Sequence, residues 1–148
     1  MLLTGGSATR LTRGMVYSGA PVWSPDGKWI AYLSDQAGQY EICGRDREGK
    51  TDEVQVTTGY KGWPWGLLWS PDSKKIAFSD QTYTLYYVDI DRKELKKIDK
   101  SENQDIPSAS WSGDSKWIAY HKVGENHFGS IYLYSLDEDK THQMTSGF

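Results

Sequence analysis

Trp23-Ser24-Pro25-Asp26-Gly27-Lys28-Trp29-Ile30-Ala31-Tyr32 is written into this chain three times. It returns as Trp69-Ser-Pro-Asp-Ser-Lys-Lys-Ile-Ala-Phe78 and as Trp111-Ser-Gly-Asp-Ser-Lys-Trp-Ile-Ala-Tyr120. The copies begin 46 and 42 residues apart. That period suits a repeat of four β-strands and exceeds the roughly 33–34 residues of the common paired-helix repeats. Proline and glycine inside the unit also argue against a helix.

Each copy reads as strand, turn, strand. The Trp-Ser pair closes a first strand, Pro25 or Pro71 presets φ for a reversal, and Asp26, Asp72 or Asp114 can accept bonds from the backbone beyond it. Gly113 stands where the other copies have proline, and glycine accepts the same φ. Gly27 suits a positive φ at the turn exit. Ser73 and Ser115 hold that place in the other copies, so either the φ there is ordinary or a small strain is tolerated. The second strands, Trp29-Ile-Ala-Tyr-Leu33, Ile76-Ala-Phe78 and Trp117-Ile-Ala-Tyr120, are apolar on both faces. A sheet packed between two others needs that pattern, and Ala31, Ala77 and Ala119 would let neighbouring sheets approach closely.

Working outward, a third strand follows a variable loop: Tyr40-Glu-Ile-Cys-Gly-Arg-Asp46, Thr84-Leu-Tyr-Tyr-Val-Asp89 and Ser130-Ile-Tyr-Leu-Tyr-Ser135. Charged turns then lead to a fourth, more polar strand: Glu53-Val-Gln-Val-Thr57, Leu95-Lys-Lys-Ile-Asp99 and Thr141-His-Gln-Met-Thr145. Its Lys, Glu and Gln residues suit an exposed sheet edge. Ser7-Ala-Thr-Arg-Leu-Thr12 has the character of another fourth strand, separated from its own first three. The organisation expected is all-β: a β-propeller portion of three four-stranded antiparallel blades, at 14–58, 59–99 and 100–148, with 1–13 as the outer strand of a preceding incomplete blade. Closed propellers usually have four to eight blades. The chain is therefore expected to be an excised portion, or to close with another copy.

Composition agrees. Seven Trp and ten Tyr against three Phe, with 15 Gly, lean the chain toward strands. The 148 residues balance 17 Lys and Arg against 20 Asp and Glu, for a net charge of -3, so the basic excess of a nucleic-acid binder is missing. The first residues carry no export signal, and no run reaches the roughly 20 apolar residues of a membrane span. The single cysteine, Cys43, reads as a small apolar strand residue.

The three Trp-Ser-(Pro/Gly)-Asp-(Gly/Ser)-Lys turns, each followed by Ile-Ala-Tyr or Ile-Ala-Phe, resemble the propeller repeats of the TolB and tricorn group. Leu68-Trp-Ser-Pro-Asp-Ser-Lys-Lys-Ile76, Leu85-Tyr-Tyr-Val-Asp-Ile-Asp91 and Ile131-Tyr-Leu-Tyr-Ser-Leu136 are most similar to the propeller region of bacterial tricorn-like serine peptidases. The resemblance implies a parent protein, cytoplasmic or periplasmic, whose propeller segments precede a PDZ-like module and a serine peptidase domain. Its catalytic Ser, His and acidic residue would lie in those domains, so no position here inherits a catalytic, cofactor or metal role.

The residues themselves point the same way. His121, His127 and His142 are scattered and match no nucleophile motif, and the pairs Asp89/Asp91 and Asp137/Asp139 fall in turns where Asp is ordinary. Gly5-Gly-Ser7 is too short for a phosphate loop. The segment Tyr60-Lys-Gly-Trp-Pro-Trp-Gly66 joins a fourth strand to a first strand and shares a rim with the loops holding Tyr83, His127 and Phe128. Loops on one rim of a rigid scaffold commonly bind partners. Tyr60, Trp63, Trp65, Tyr83, His127 and Phe128 are therefore the candidate contacts for a peptide or a protein domain. The bland alternative is that the tryptophans cap their own blade's core. Two functions are expected to compete: a non-catalytic scaffold or peptide guide in a peptidase, and a TolB-like protein-interaction propeller. Homo-oligomerisation through apolar end faces is a further expectation.

Overall fold

The structure, a computed structural model, describes residues 8, 10–12, 14–102, 106, 108–124 and 127–145. Three four-stranded antiparallel sheets follow one another along the chain, each a simple meander. Blade one holds β1 (Ser18–Trp23), β2 (Trp29–Ser34), β3 (Glu41–Asp46) and β4 (Val54–Gln55). Blade two holds β5 (Pro64–Trp69), β6 (Lys75–Asp80), β7 (Thr84–Asp89) and β8 (Glu94–Lys100). Blade three holds β9 (Ala109–Trp111), β10 (Trp117–Val123), β11 (Gly129–Ser135) and β12 (Lys140–Gln143). Every first strand ends on the repeat tryptophan, and β8 extends one residue past the boundary at 99.

The turn after each first strand is built by the serine and aspartate of the repeat. The Ser24 hydroxyl donates to Asp26 Oδ1 at 2.6 Å, accepts from Trp29 N at 2.9 Å, and Asp26 Oδ1 accepts from Lys28 N at 3.0 Å. Ser70 with Asp72 and Ser112 with Asp114 repeat this arrangement. These bonds to the charged form hold the Asp26 and Asp114 carboxyls below the usual carboxylate range. The residue after the aspartate is left-handed in all three copies, with φ of 68° at Gly27, 59° at Ser73 and 61° at Ser115. The strain at the two serines has a physical counterpart. Ser73 Oγ accepts from Asp26 N at 3.1 Å, and Ser115 Oγ accepts from Asp72 N at 3.0 Å, so each serine ties its turn to the preceding blade.

Period-two alternation sorts the second strand between its two neighbours. Ala31, Leu33, Ile42 and Val56 of blade one bury against Leu67, Ile76, Phe78 and Val88 of blade two. Ala77 and Leu85 of blade two in turn pack with Ile118, Tyr120 and Tyr134 of blade three. Within the repeat, Ile and the aromatic residue face backward along the chain, and the alanine faces forward. The repeat tryptophans reinforce both seams: Trp69 Nε1 donates to Val22 O at 3.3 Å and Trp111 Nε1 to Leu68 O at 3.1 Å.

Two expectations meet a different outcome. The fourth strand of blade one spans only Val54–Gln55, because Val56 N and Thr57 N both donate to Ile42 O and the Thr57 hydroxyl accepts from Ile42 N at 2.9 Å. Side-chain bonding replaces the ladder there. Of the stretch read as an orphan fourth strand, Ser7 and Thr9 lie outside the described residues, as do 1–6 and 13, and residues 10–12 belong to no strand. A fourth strand needs the third strand of its own blade to pair with. Leu11 instead lies beside Pro21, Ile30 and Tyr32, and its carbonyl accepts from Arg45 Nη1 at 2.6 Å.

Candidate functional site

The residues before β1 and β5 and the loops between the second and third strands of each blade lie at one end of the molecule. The entries to β1 and β5 are built alike. Tyr17 N donates to Asp35 Oδ1 at 2.9 Å, and Trp63 N donates to Gln81 Oε1 at 2.5 Å, so the residue after each second strand holds the residue before the first. Each first strand is then bulged at a left-handed residue, Ala20 at 52° and Gly66 at 65°. Bulges re-aim the side chains beside them.

Those entries hold an aromatic row. Trp63 is 55% exposed and stacks on Tyr40 with ring centroids 4.6 Å apart and an interplanar angle of 24°. Tyr40 meets Tyr17 edge-on at 5.6 Å. Beside the row, Tyr40, Lys61, Gly62, Trp63, Trp65 and Gln81 line a cavity of about 530 Å³. Trp65 is half-buried in its wall. Aromatic walls with a few polar groups suit an extended chain carrying apolar or proline side chains.

The sequence candidates separate into three groups. Trp63 and Trp65 belong to the row and its cavity. Tyr60 does not: it is buried edge-on between Phe78 at 5.5 Å and Tyr86 at 5.8 Å, its hydroxyl donates to Asp80 Oδ2 at 2.8 Å, and its N–H donates to Glu41 Oε1 at 3.2 Å. Burial first, and then Asp80, raises its hydroxyl pKa. Tyr60 is thus a core residue and unreachable by a ligand. Tyr83, His127 and Phe128 are exposed, Tyr83 two residues beyond Gln81 and the other two at the corresponding loop of blade three. Tyr83 and His127 both adopt φ of 60°, the price of tight turns closed by Tyr83 N to Asp80 O and His127 N to Gly124 O.

Sequence reasoning missed Tyr17 and Tyr40. Tyr17 stands six residues before Trp23 as Trp63 stands six before Trp69, and that alignment is the signal that could have found it. It also missed Glu41, buried at 1% exposure, whose carboxylate accepts from the Thr57 hydroxyl at 2.5 Å, Gln39 Nε2 at 2.8 Å and Tyr60 N. Those donors hold the loop between β4 and β5 against blade one, and so position Trp63.

The acidic pairs are turn residues in ordinary surroundings. Asp139 accepts from Lys96 Nζ at 2.5 Å and from the Tyr134 hydroxyl at 2.6 Å, across the seam between blades two and three. Asp137 pairs with Lys116 at 3.4 Å, and Asp89 Oδ1 accepts from Arg92 N at 3.0 Å. His142 pairs with Glu138 at 2.9 Å. Among the described residues no group of three or more His, Cys, Asp or Glu is arranged to hold a metal ion.

No protein-family model matches the chain. The Tol-Pal system protein TolB of Francisella tularensis is 37% identical over 84 residues, 53% of this chain and 19% of that protein. The uncharacterized peptidase YuxL of Bacillus subtilis is 29% identical over 148 residues, 97% of this chain and 20% of that protein. The crystal structure of the tricorn protease superposes with a TM-score of 0.70 at 16% identity, over 81% of this chain and 12% of that one. TolB from Acinetobacter baumannii gives 0.64 at 22% identity, over 92% of this chain and 34% of that one. These are propeller blades of the TolB and tricorn type. The chain spans about a fifth of the length of the curated TolB and YuxL proteins it matches. At such identities the superpositions speak for the fold alone. What the TolB/tricorn-type scaffold contributes here is the stiff seam that holds the entries to β1 and β5 side by side and keeps Tyr17, Tyr40 and Trp63 in one row.

Proposed function

We propose that this chain is a non-catalytic propeller module of a tricorn-like serine peptidase, which holds or guides extended peptides. The row formed by Tyr17, Tyr40 and Trp63 carries the reading: an exposed stack of rings on a loop rim, beside a cavity of about 530 Å³ with Lys61 and Gln81 at its border. Large rigid rings offer contact area at little entropic cost, which suits loose binding of many sequences. YuxL, a peptidase by name and similar along nearly the whole chain, supports the peptidase setting. Titration with unstructured peptides, followed by tryptophan fluorescence, tests this. Binding that Trp63→Ala and Tyr40→Ala both weaken by tenfold or more is expected, and absence of any binding would defeat it.

A second reading has its own support. The 37% identity to TolB favours an interaction propeller that docks a folded protein of the bacterial envelope. It predicts the opposite preference, affinity for a folded domain and none for unstructured peptides.

A further inference from the structure

Both seams between blades use one set of contacts, and that set is unfilled at the two ends of the array. At each seam the following blade's tryptophan indole donates to the carbonyl before the preceding tryptophan, Trp69 to Val22 O and Trp111 to Leu68 O. An isoleucine and an aromatic ring of the following blade cover the alanine and the third-strand aliphatic of the preceding one. Moved on by one blade, the acceptor is Ser110 O, and the surface to be covered holds Ala119, Ile131 and Leu133, which share a face of β10 and β11. Moved back by one blade, the donor is Trp23 Nε1, and the covering side chains are Ile30 and Tyr32.

Burial shows that these sites are unmet among the described residues. Ile42, Leu85 and Ile131 occupy the same place in the repeat, yet Ile42 is 0% and Leu85 1% exposed while Ile131 is 41% exposed. Trp69 and Trp111 are half-buried in the seams, whereas Trp23 is 58% exposed. One end therefore presents an unspent donor with the covering side chains, and the other presents the matching acceptor with the surface to be covered.

We propose that blade three of one copy receives blade one of a second copy, head to tail. The Trp23 indole of each copy donates to Ser110 O of the other, with Ile30 and Tyr32 laid over Ala119, Ile131 and Leu133. Two such contacts related by a two-fold axis close a ring of six blades, within the usual range for propellers. Gly27 stands where Ser73 and Ser115 supply their hydroxyls, so Asp114 N keeps a water partner at this seam. Leu11 rests against Pro21, Ile30 and Tyr32, as Val56 rests against Leu67, Ile76 and Phe78 inside the molecule. Residues 10–12 therefore occupy part of the face and give way when the second copy docks.

Sedimentation equilibrium of the full chain over a wide range of concentration tests this, with circular dichroism confirming that each variant is folded. The expected mass is twice 16.8 kDa. Ala119→Arg and Trp23→Arg are each expected to be monomeric. Mixed together they should pair, because the first keeps an intact blade-one face and the second an intact blade-three face. Leu11→Asp, which frees the blade-one face, should tighten the dimer. Ile131→Lys, at an exposed position, should also give a monomer and serves if Ala119→Arg fails to fold. A monomer at every concentration overturns the proposal. So does a Trp23→Arg variant that still dimerises, which would mean that two blade-three faces meet.

Discussion

Trp23, Trp69 and Trp111 are the same residue of the same repeat, yet replacing them should have very different consequences for the single chain. Trp69 and Trp111 lie at the edges of the two seam cores and spend their indole N–H on a carbonyl of the preceding blade, at 3.3 and 3.1 Å. Truncating a buried tryptophan to alanine costs about 3–5 kcal/mol, and half-burial places these two near about 3 kcal/mol. Phenylalanine keeps most of the ring and forfeits the hydrogen bond, worth about 1 kcal/mol. Trp23, 58% exposed with no blade before it, should lose about 0.5 kcal/mol or less, as exposed positions do. Urea unfolding followed by far-ultraviolet circular dichroism, at concentrations where the chain is a single copy, reads the difference. With a slope of about 2 kcal/mol per molar, the alanine variants at 69 and 111 should lower the midpoint by about 1.5 M, and that at 23 by about 0.25 M. Equal shifts at all three positions, with unchanged slopes, would refute the account of the seams.

Two further outcomes follow from backbone and burial. Ala20 holds a left-handed bulge position that Gly66 fills in the next blade, so Ala20→Gly should stabilise by about 0.5–1 kcal/mol and Gly66→Ala should destabilise by about 1 kcal/mol. Opposite signs in thermal unfolding check this, and two losses would contradict it. Burial, with Glu53 nearby, pushes the Cys43 thiol up to about 12, and burial raises the Tyr32, Tyr60 and Tyr120 hydroxyls above their ordinary range. Raised folded-state values mean that this stability is complete below the unfolded values of 9.0 and 10.0 and is lost as pH rises past them. The urea midpoint should therefore fall steadily above about pH 9, and Cys43 should resist thiol reagents until the chain unfolds. A flat midpoint up to about pH 11 would contradict this.

The sequence by itself determined the blades. A ten-residue unit with Trp-Ser closing one strand, Asp turning the chain and Ile-Ala-aromatic opening the next leaves little choice locally, since hydrogen bonds within a few residues satisfy the turn. Apolar residues on both faces of the second strand required a sheet on either side, and the three sheets stack as that pattern demands. Only the tertiary structure decided what depends on residues distant in the chain. Ser73 and Ser115 accept left-handed strain because their hydroxyls reach a backbone N–H more than forty positions away, which no local pattern encodes. Tyr60 turned inward because Asp80 and Glu41, on two different blades, offer acceptors for its hydroxyl and its N–H. Tyr17 and Tyr40 became neighbours of Trp63 because the seam between blades one and two brings three separate chain segments to one rim. Identical tryptophans differ in exposure for the same reason: burial belongs to the seam that two blades form together, and a residue's own neighbours in sequence do not specify it.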